Sequence, residues 1–162
     1  MADKFVQQAS HALDTLSDKI DPLIASASDR EDVLQRICDL LYDEVPTYDW
    51  VGFYLVDLHA ERELVLGPYV GDPTDHTRIP FGRGICGQAA DTKETFVVND
   101  VSRETNYLSC SPEVNAEIVV PLIKDGEVLG ELDIDSHAKN CLTDKDRKVL
   151  EEICGKIVDE LY

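Results

Sequence analysis

The stretch EIVVPLIKDGEVLGELDIDS, residues 117–136, contains two apolar runs separated by an Asp125-Gly126 pair. Aliphatic and β-branched residues dominate both runs, and an Asp-Gly pair between such runs is a strong hairpin signal. Polar and apolar residues alternate in LDIDS, so Asp133 and Asp135 should project from the same face of the sheet. The stretch predicts two antiparallel strands with two carboxylates on one face.

The flanking sequence extends this sheet and supplies helices to cover it. Further strands are predicted at DWVGFYLVD (49–57), RELVLGPYVG (62–71), RIPF (78–81) and ETFVVND (94–100). Apolar residues at helical spacing predict a helix from Lys4 to about Ala25, one from an N-cap at Ser28 to before Pro46, and a last one from Thr143. GRGICGQAADTK (82–93) combines a glycine-rich entry with small residues, which predicts a short, closely packed helix.

These elements indicate one α+β domain over residues 1–162, with an antiparallel sheet covered mainly on one face by the N- and C-terminal helices. The chain is 43% hydrophobic and 30% charged, which is typical of a packed globular domain. Strand and helix do not alternate as in a nucleotide-binding fold, and GRGICG lacks the lysine of a phosphate-binding loop. We therefore expect no ATP site.

The chain is strongly acidic, with 15 Lys and Arg against 33 Asp and Glu and a formal charge of -18. This charge disfavours binding to nucleic acid or to an anionic membrane surface. The N-terminal stretch lacks the apolar core of a secretory signal, and no apolar run approaches the roughly 18 residues of a membrane span. We expect a cytoplasmic protein.

The five cysteines form no CxxC pair and are odd in number, so neither a disulfide framework nor a metal site is predicted. Cys38 and Cys154 lie beside apolar helical stripes and are expected in the core. Cys86 begins a glycine-flanked helix whose amides would favour a thiolate, unless a small residue is all that fits there. Cys110 lies in a polar loop, where a thiol is either reactive or of no consequence.

Several strand residues could line a pocket. Glu117, Asp133 and Asp135 are ordinary solvated acids if their face is exposed, but in a pocket they could bind an ammonium group and keep one carboxyl protonated as a proton donor. Trp50 and Tyr54 are four residues apart in one strand and share a face. They could form an apolar pocket wall, although core packing is the commoner role of aromatic residues in strands.

Read together, DWVGFYLVD, ELVLGPYVG, RIPFGRGICGQAA, AEIVVPLI and GELDIDS resemble the ordered motifs of the GAF-domain free methionine-(R)-sulfoxide reductases over about residues 30–160. The resemblance implies a GAF-like fold, with Cys110 as nucleophile and Cys86 as a resolving cysteine. It also implies roles in binding the substrate, for the carboxylates Glu117, Asp133 and Asp135 and for the aromatic residues Trp50 and Tyr54. Many relatives carry a further cysteine where this chain has His76, so a two-cysteine cycle is expected.

The implied reaction reduces free methionine sulfoxide through a Cys110 sulfenic acid and a Cys86–Cys110 disulfide. An external dithiol such as thioredoxin, with its NADPH-dependent reductase, would reopen the disulfide, and no bound cofactor is expected. Three carboxylates near Cys110 would raise its pKa unless the ammonium group of the substrate neutralises them. Thiolate formation is therefore expected to depend on substrate binding.

Two alternative functions are also compatible with the sequence. GAF folds also serve as non-catalytic sensors of small molecules, although a cyclic phosphate would be repelled by an acidic pocket. A purely structural domain would leave Cys110 and the carboxylates unexplained. The helix over residues 1–25 adds an apolar face to a small domain, which suggests a homodimer.

Overall fold

The computed structural model describes residues 2–26, 28–108 and 111–162, which form four α-helices and a six-stranded sheet. The elements are α1 (Ala2–Ala25), α2 (Arg30–Glu44), β1 (Trp50–Val56), β2 (Glu63–Val70), β3 (Arg78–Pro80), α3 (Gly84–Thr92), β4 (Phe96–Val98), a short 3-10 helix (Val101–Arg103), β5 (Ala116–Lys124), β6 (Glu127–Ser136) and α4 (Asp144–Leu161). Among the described residues, no helix has the length and apolar character needed to cross a membrane.

The sheet is antiparallel throughout and has the strand order β3-β2-β1-β6-β5-β4. The predicted Asp125-Gly126 hairpin joins β5 to β6, and both turn residues have the positive φ that such a turn requires. The predicted hairpin of β1 and β2 also forms. Strand β6 lies between β1 and β5, so the LDIDS residues occupy the middle of the sheet.

The two faces of the sheet are covered by different elements. Helices α2 and α4 pack against one face, where Phe53, Ile118 and Leu132 belong to the main core, and α1 packs against α2 and α4. Helix α3 covers part of the other face, where Trp50 and Tyr54 belong to a second apolar cluster. Because side chains alternate along each strand, the even-numbered residues of β1 and the odd-numbered residues of β5 and β6 point toward α3. This confirms the predicted α+β class, and the second cluster forms the setting of the candidate site.

Local caps fix where the helices begin. The predicted N-cap at Ser28 is wrong: Asp29 is the cap of α2, and its carboxylate accepts a hydrogen bond from the Glu31 amide. Aspartate and serine are equally good caps, so the sequence alone did not distinguish the two neighbours. The start of α4 is a full capping box between Thr143 and Asp146. Asp146 also accepts a 2.6 Å hydrogen bond from the buried Tyr48 hydroxyl, which ties α4 to the chain before β1.

Helix α1 buries its apolar face within its own chain. Ala9, Leu13, Leu16 and Ile20 are at most 2% exposed and belong to the main core, where α1 packs against α4 and α2. The predicted N-terminal helix is confirmed over Ala2–Ala25, but the argument that its apolar face needs a second copy is wrong. The homodimer itself stays a prediction.

Candidate active site

Cys86 lies in the first turn of α3 and is buried. Two glycines allow the tight geometry of this turn. Gly84 has a φ of 66°, and a Cβ atom at Gly87 would lie 2.6 Å from the carbonyl oxygen of Pro80. Only glycine tolerates both the left-handed backbone and so close an approach of two backbones without strain. The glycine-rich entry therefore allows the start of α3, which carries the Cys86 thiol, to pack closely against the sheet.

The three predicted carboxylates lie together on the face of the sheet that α3 covers. Glu117 lies directly opposite Asp135 in the register of β5 and β6, and Asp133 is two residues from Asp135 on the same face. All three side chains are at most 5% exposed. The reading of these residues as ordinary solvated acids is therefore wrong, because no more than a small fraction of each meets water.

The carboxylates surround the Cys86 thiol. Cys86 Sγ donates a 3.9 Å hydrogen bond to Oε2 of Glu117. Cys86 Sγ, one carboxylate oxygen of Glu117 and one of Asp133 all lie within 4.8 Å of one another. A cavity with about 250 Å³ of empty space, its solvent mouth included, borders these three residues. Other residues of its wall are Tyr54, His76, Ile79, Arg83, Gly84, Ile85 and Leu108.

Ionising the thiol or the acids of this cluster is unfavourable, and their pKa values are raised accordingly. Burial raises the pKa of the Cys86 thiol, and the neighbouring charges of Asp133, Glu131, Glu117 and Asp135 raise it further. Burial also raises the pKa values of Asp133 and Asp135. The sequence had predicted that helix amides would favour a Cys86 thiolate. That expectation is wrong, because burial among acids outweighs a partial positive charge at a helix end.

The two predicted aromatic residues are adjacent to this cluster. The rings of Trp50 and Tyr54 stack with their centroids 6.4 Å apart, and Trp50 pairs with Asp135 across β1 and β6. Tyr69 of β2, which was not predicted from the sequence, also stacks on Trp50, with the ring centroids 5.4 Å apart. Gly52 makes room for this stack, because a Cβ atom there would lie 2.4 Å from the Trp50 ring. The aromatic wall thus comprises three rings.

The indole N–H of Trp50 and the hydroxyl of Tyr54 each donate a hydrogen bond to a backbone carbonyl oxygen. Trp50 Nε1 donates a 3.0 Å hydrogen bond to the carbonyl oxygen of Asp72, and the Tyr54 hydroxyl donates a 2.7 Å bond to the carbonyl oxygen of His76. These bonds fix the loop between β2 and β3 over the aromatic wall. His76 therefore lies at the cavity.

Glu131 is a buried acid that the sequence reading left out. It is fully buried, and neither of its carboxylate oxygens has a hydrogen-bond partner in the described part of the chain. Burial, followed by the charge of Asp133, raises its pKa well above the ordinary value. The alternation that placed Asp133 and Asp135 on one face also places Glu131 there, so the signal was present in GELDIDS.

The predicted nucleophile, Cys110, lies outside the described residues. The described chain that leads toward it is tied to α3 by Asn106. The Gly84 amide donates a 2.8 Å hydrogen bond to Oδ1 of Asn106, whose own amide donates to the Gly82 carbonyl oxygen. Gln88 of α3 donates to the Asn106 carbonyl oxygen at 3.0 Å. These bonds fasten the segment four residues before Cys110 to the helix that carries Cys86.

Comparison with known proteins agrees with this fold. The GAF domain family model matches residues 27–159, which include every described residue of the site. The fold and the site thus define a GAF-domain protein.

Similar proteins indicate which group of GAF-domain proteins this chain resembles. The free methionine-R-sulfoxide reductase of Saccharomyces cerevisiae is 41% identical over 110 residues, 67% of this chain and 61% of the relative. The Escherichia coli protein of the same name is 36% identical over 118 residues, 73% of this chain and 69% of the relative. The structure of the Neisseria meningitidis free methionine-R-sulfoxide reductase with its substrate superposes with a TM-score of 0.88 at 36% identity, covering 93% and 89% of the two chains. The chain belongs to the GAF-domain free methionine-R-sulfoxide reductase family, whose members are oxidoreductases.

Proposed function

We propose that this protein reduces free L-methionine-(R)-sulfoxide to L-methionine, with Cys110 as nucleophile and Cys86 as resolving cysteine. Family membership supports the reaction, and one observation carries it for this chain. Two buried carboxylates, Glu117 and Asp133, line one cavity together with the buried Cys86 thiol and the Tyr54 ring. Asp135 pairs with Glu117 in the sheet beside this cavity, and the Trp50 ring stacks on Tyr54. An ammonium group, a sulfur centre and a methyl group each find matching chemistry there.

The carboxylates account for selection of the free amino acid. Glu117, Asp133 and Asp135 would surround the α-ammonium group, which compensates buried negative charge that otherwise has little access to water. Methionine inside a peptide has an amide in place of this group and leaves the acids unpaired. A site built around a charged partner rejects an analogue that lacks it, so peptide-bound methionine sulfoxide should be a poor substrate.

The aromatic wall accounts for the apolar end of the substrate. The polar atoms of Trp50 and Tyr54 already bond to backbone carbonyls, so their rings can offer apolar faces to the methyl group. Trp50 lies opposite Asp135 in the sheet. The two ends of one amino acid can therefore be held by neighbouring strands.

The first chemical step transfers oxygen to Cys110. The Cys110 thiolate attacks the sulfoxide sulfur, an acid of the site protonates the sulfoxide oxygen, and that oxygen passes to the cysteine sulfur. Methionine leaves, and Cys110 becomes a sulfenic acid. The substrate sulfur gains the two electrons that the cysteine sulfur loses, so the step balances.

The second step regenerates the enzyme. The Cys86 sulfur displaces the oxygen of the sulfenic acid, which leaves as water with the thiol proton, and a Cys86–Cys110 disulfide forms. A thioredoxin-type dithiol of the cytoplasm reduces this disulfide through a mixed disulfide and is itself oxidised. The raised pKa of Cys86 suits this order, because Cys86 stays a thiol while Cys110 reacts with the substrate. His76 adds no third thiol, so two cysteines complete the cycle.

The test is reduction of free methionine-(R)-sulfoxide with a thioredoxin system or dithiothreitol. Wild type should reduce the free R epimer, whereas the S epimer, an N-acetylated sulfoxide and the Cys110→Ser variant should give only background rates. Activity that survives in Cys110→Ser would overturn the assignment of the nucleophile. Tight binding of methionine sulfoxide with no turnover by wild type would instead indicate a GAF-domain sensor.

A further inference from the structure

The residues that surround the Cys86 thiol also form a ligand set for a metal ion. Cys86 comes from α3, Glu117 from β5 and Asp133 from β6, so the set is widely spaced in the sequence and forms only in the fold. One sulfur and two carboxylate oxygens lie within 4.8 Å of one another. Ligand atoms around a tetrahedral ion at bond lengths of about 2.0–2.3 Å lie roughly 3.3–3.8 Å apart, so small side-chain rotations would complete the geometry.

One buried carboxylate oxygen of this set is available to a ligand. Asp133 is 1% exposed and lines the cavity, and its Oδ1 has no hydrogen-bond partner among the residues that the structure describes. A buried carboxylate oxygen without a partner costs free energy, and native structures seldom leave one without a reason. A bound cation would use this oxygen and also offset the charge that ionised Glu117 would add beside it.

The donor types select the kind of cation. A thiolate is a soft ligand and favours Zn²⁺, whereas Mg²⁺ and Ca²⁺ prefer sites built wholly from oxygen. Three protein ligands leave a fourth position for water, which zinc accepts readily. The set also contains the resolving thiol and two of the acids assigned above to the substrate ammonium group, so the cation and the substrate would need the same atoms.

We propose that the reduced protein binds one Zn²⁺ through Cys86, Glu117 and Asp133, and that this binding excludes the amino acid substrate. Zinc binding itself does not depend on the proposed activity, whereas the exclusion rests on the proposed function. Bound zinc would hold the Cys86 sulfur as a metal thiolate and occupy the ammonium site. It would therefore act as a reversible inhibitor that also protects Cys86 from alkylation and oxidation.

Calorimetric titration of the reduced, metal-free protein with Zn²⁺ tests the site directly. Wild type should bind one equivalent. Cys86→Ser and Asp133→Asn should each weaken that binding by at least about tenfold, since loss of an outer partner alone costs 10- to 100-fold at a metal site. Cys141→Ser is the matched control, because Cys141 is also buried but bonds to Ser136 and Ala138 outside the cluster. Circular dichroism of each variant shows that it is folded.

Titration with Cd²⁺ reports the sulfur ligand independently, through a thiolate-to-metal absorption band that Cys86→Ser should lose and Cys141→Ser should keep. Saturating methionine should weaken Zn²⁺ binding, and Mg²⁺ should produce no heat at the same concentration. Equal Zn²⁺ affinity in wild type and Cys86→Ser would overturn the site. Unchanged affinity with methionine bound would overturn the exclusion.

The assays separate the two proposals. A protein that binds Zn²⁺ through Cys86 but never reduces methionine sulfoxide refutes the proposed function and leaves the metal site standing. A protein that binds Zn²⁺ but turns over substrate at the same rate with and without stoichiometric Zn²⁺ refutes the exclusion of substrate and leaves the enzyme standing.

Discussion

The Cys86 thiol donates a 3.9 Å hydrogen bond to Oε2 of Glu117, so a thiol and a carboxylate assigned to substrate binding share one buried space. The charge state of one therefore affects the other, since little water separates them to screen their interaction. An arriving ammonium group would lower the electrostatic cost of an ionised Glu117 and, with it, the cost of a Cys86 thiolate. We therefore expect substrate binding and thiol reactivity to be coupled through this contact.

Replacing Cys86 with serine should separate the two chemical steps. Cys86→Ser keeps the size of the side chain but cannot form the disulfide, so it should yield about one methionine per protein without reductant while its thioredoxin-driven turnover falls to background. Rapid-quench measurement of methionine, with dimedone trapping of the Cys110 sulfenic acid, checks this. Cys141→Ser should behave as wild type. Full thioredoxin-driven turnover by Cys86→Ser would show that another group resolves the sulfenic acid.

Replacing Asp135 with asparagine should weaken recognition of the free amino acid. Asn preserves the shape of this 2% exposed side chain but removes its charge. A hydrogen bond to a charged group contributes about 1.5–3 kcal/mol, so kcat/KM for methionine sulfoxide should fall by about 10- to 100-fold. Steady-state kinetics check the loss, and Asp91→Asn, at the exposed Arg62 pair, is the control. Unchanged kinetics would remove Asp135 from the ammonium site.

The sequence predicted the architecture well because local signals carry it. The Asp125-Gly126 turn and the alternation in LDIDS fix two strands and the face on which Asp133 and Asp135 lie. Helical spacing likewise identified α1, α2 and α4. Each of these signals acts over a few residues, so one sequence is sufficient to see it.

The surroundings of the site could not be predicted in the same way. Glu117 and Cys86 are 31 residues apart, and only the close approach of α3 to the sheet brings them together. The direction of the Cys86 pKa shift follows from that burial, which the sequence does not state. Tyr69 was missed because its stacking on Trp50 depends on the register of β1 and β2. Glu131 had a signal, but its burial depends on what covers the sheet.

Protonated Glu131 should make the protein less stable as the pH rises. Its pKa is raised in the folded state above the ordinary value of 4.5, so the folded protein keeps a proton that the unfolded chain loses. The stability that this proton supports is complete below about pH 4.5 and is lost as the pH rises through the folded pKa. Between the unfolded-state pKa and the folded-state pKa of Glu131, each pH unit lowers the free energy of unfolding by about 1.4 kcal/mol.

Glu131→Gln removes this titration and isolates its effect. The difference in unfolding free energy between Glu131→Gln and wild type should shift in favour of the variant between about pH 5 and pH 7, because only wild type carries the raised Glu131 pKa. Urea unfolding at both pH values, with reductant present, measures it. Ion pairs elsewhere are common to both proteins and cancel in the difference. A difference that does not change with pH would show that Glu131 titrates normally.

Gly52 supports the aromatic wall, and enlarging it should damage the wall selectively. A Cβ atom at Gly52 would lie 2.4 Å from the Trp50 ring and 2.8 Å from Cβ of Tyr69, so Gly52→Ala must displace one of these rings. Overpacking of this kind typically costs about 1–3 kcal/mol, and a displaced Trp50 should also raise KM for methionine sulfoxide.

Gly155→Ala is the matched control, since no described atom lies within 4 Å of a Cβ atom there and α4 should gain about 0.5–1 kcal/mol from the better helix former. Thermal unfolding and steady-state kinetics on both variants distinguish the two effects: a lower melting temperature with a higher KM in Gly52→Ala, and a higher melting temperature with wild-type kinetics in Gly155→Ala. If Gly52→Ala is destabilised but keeps the wild-type KM, the Trp50 ring serves the core and not the substrate.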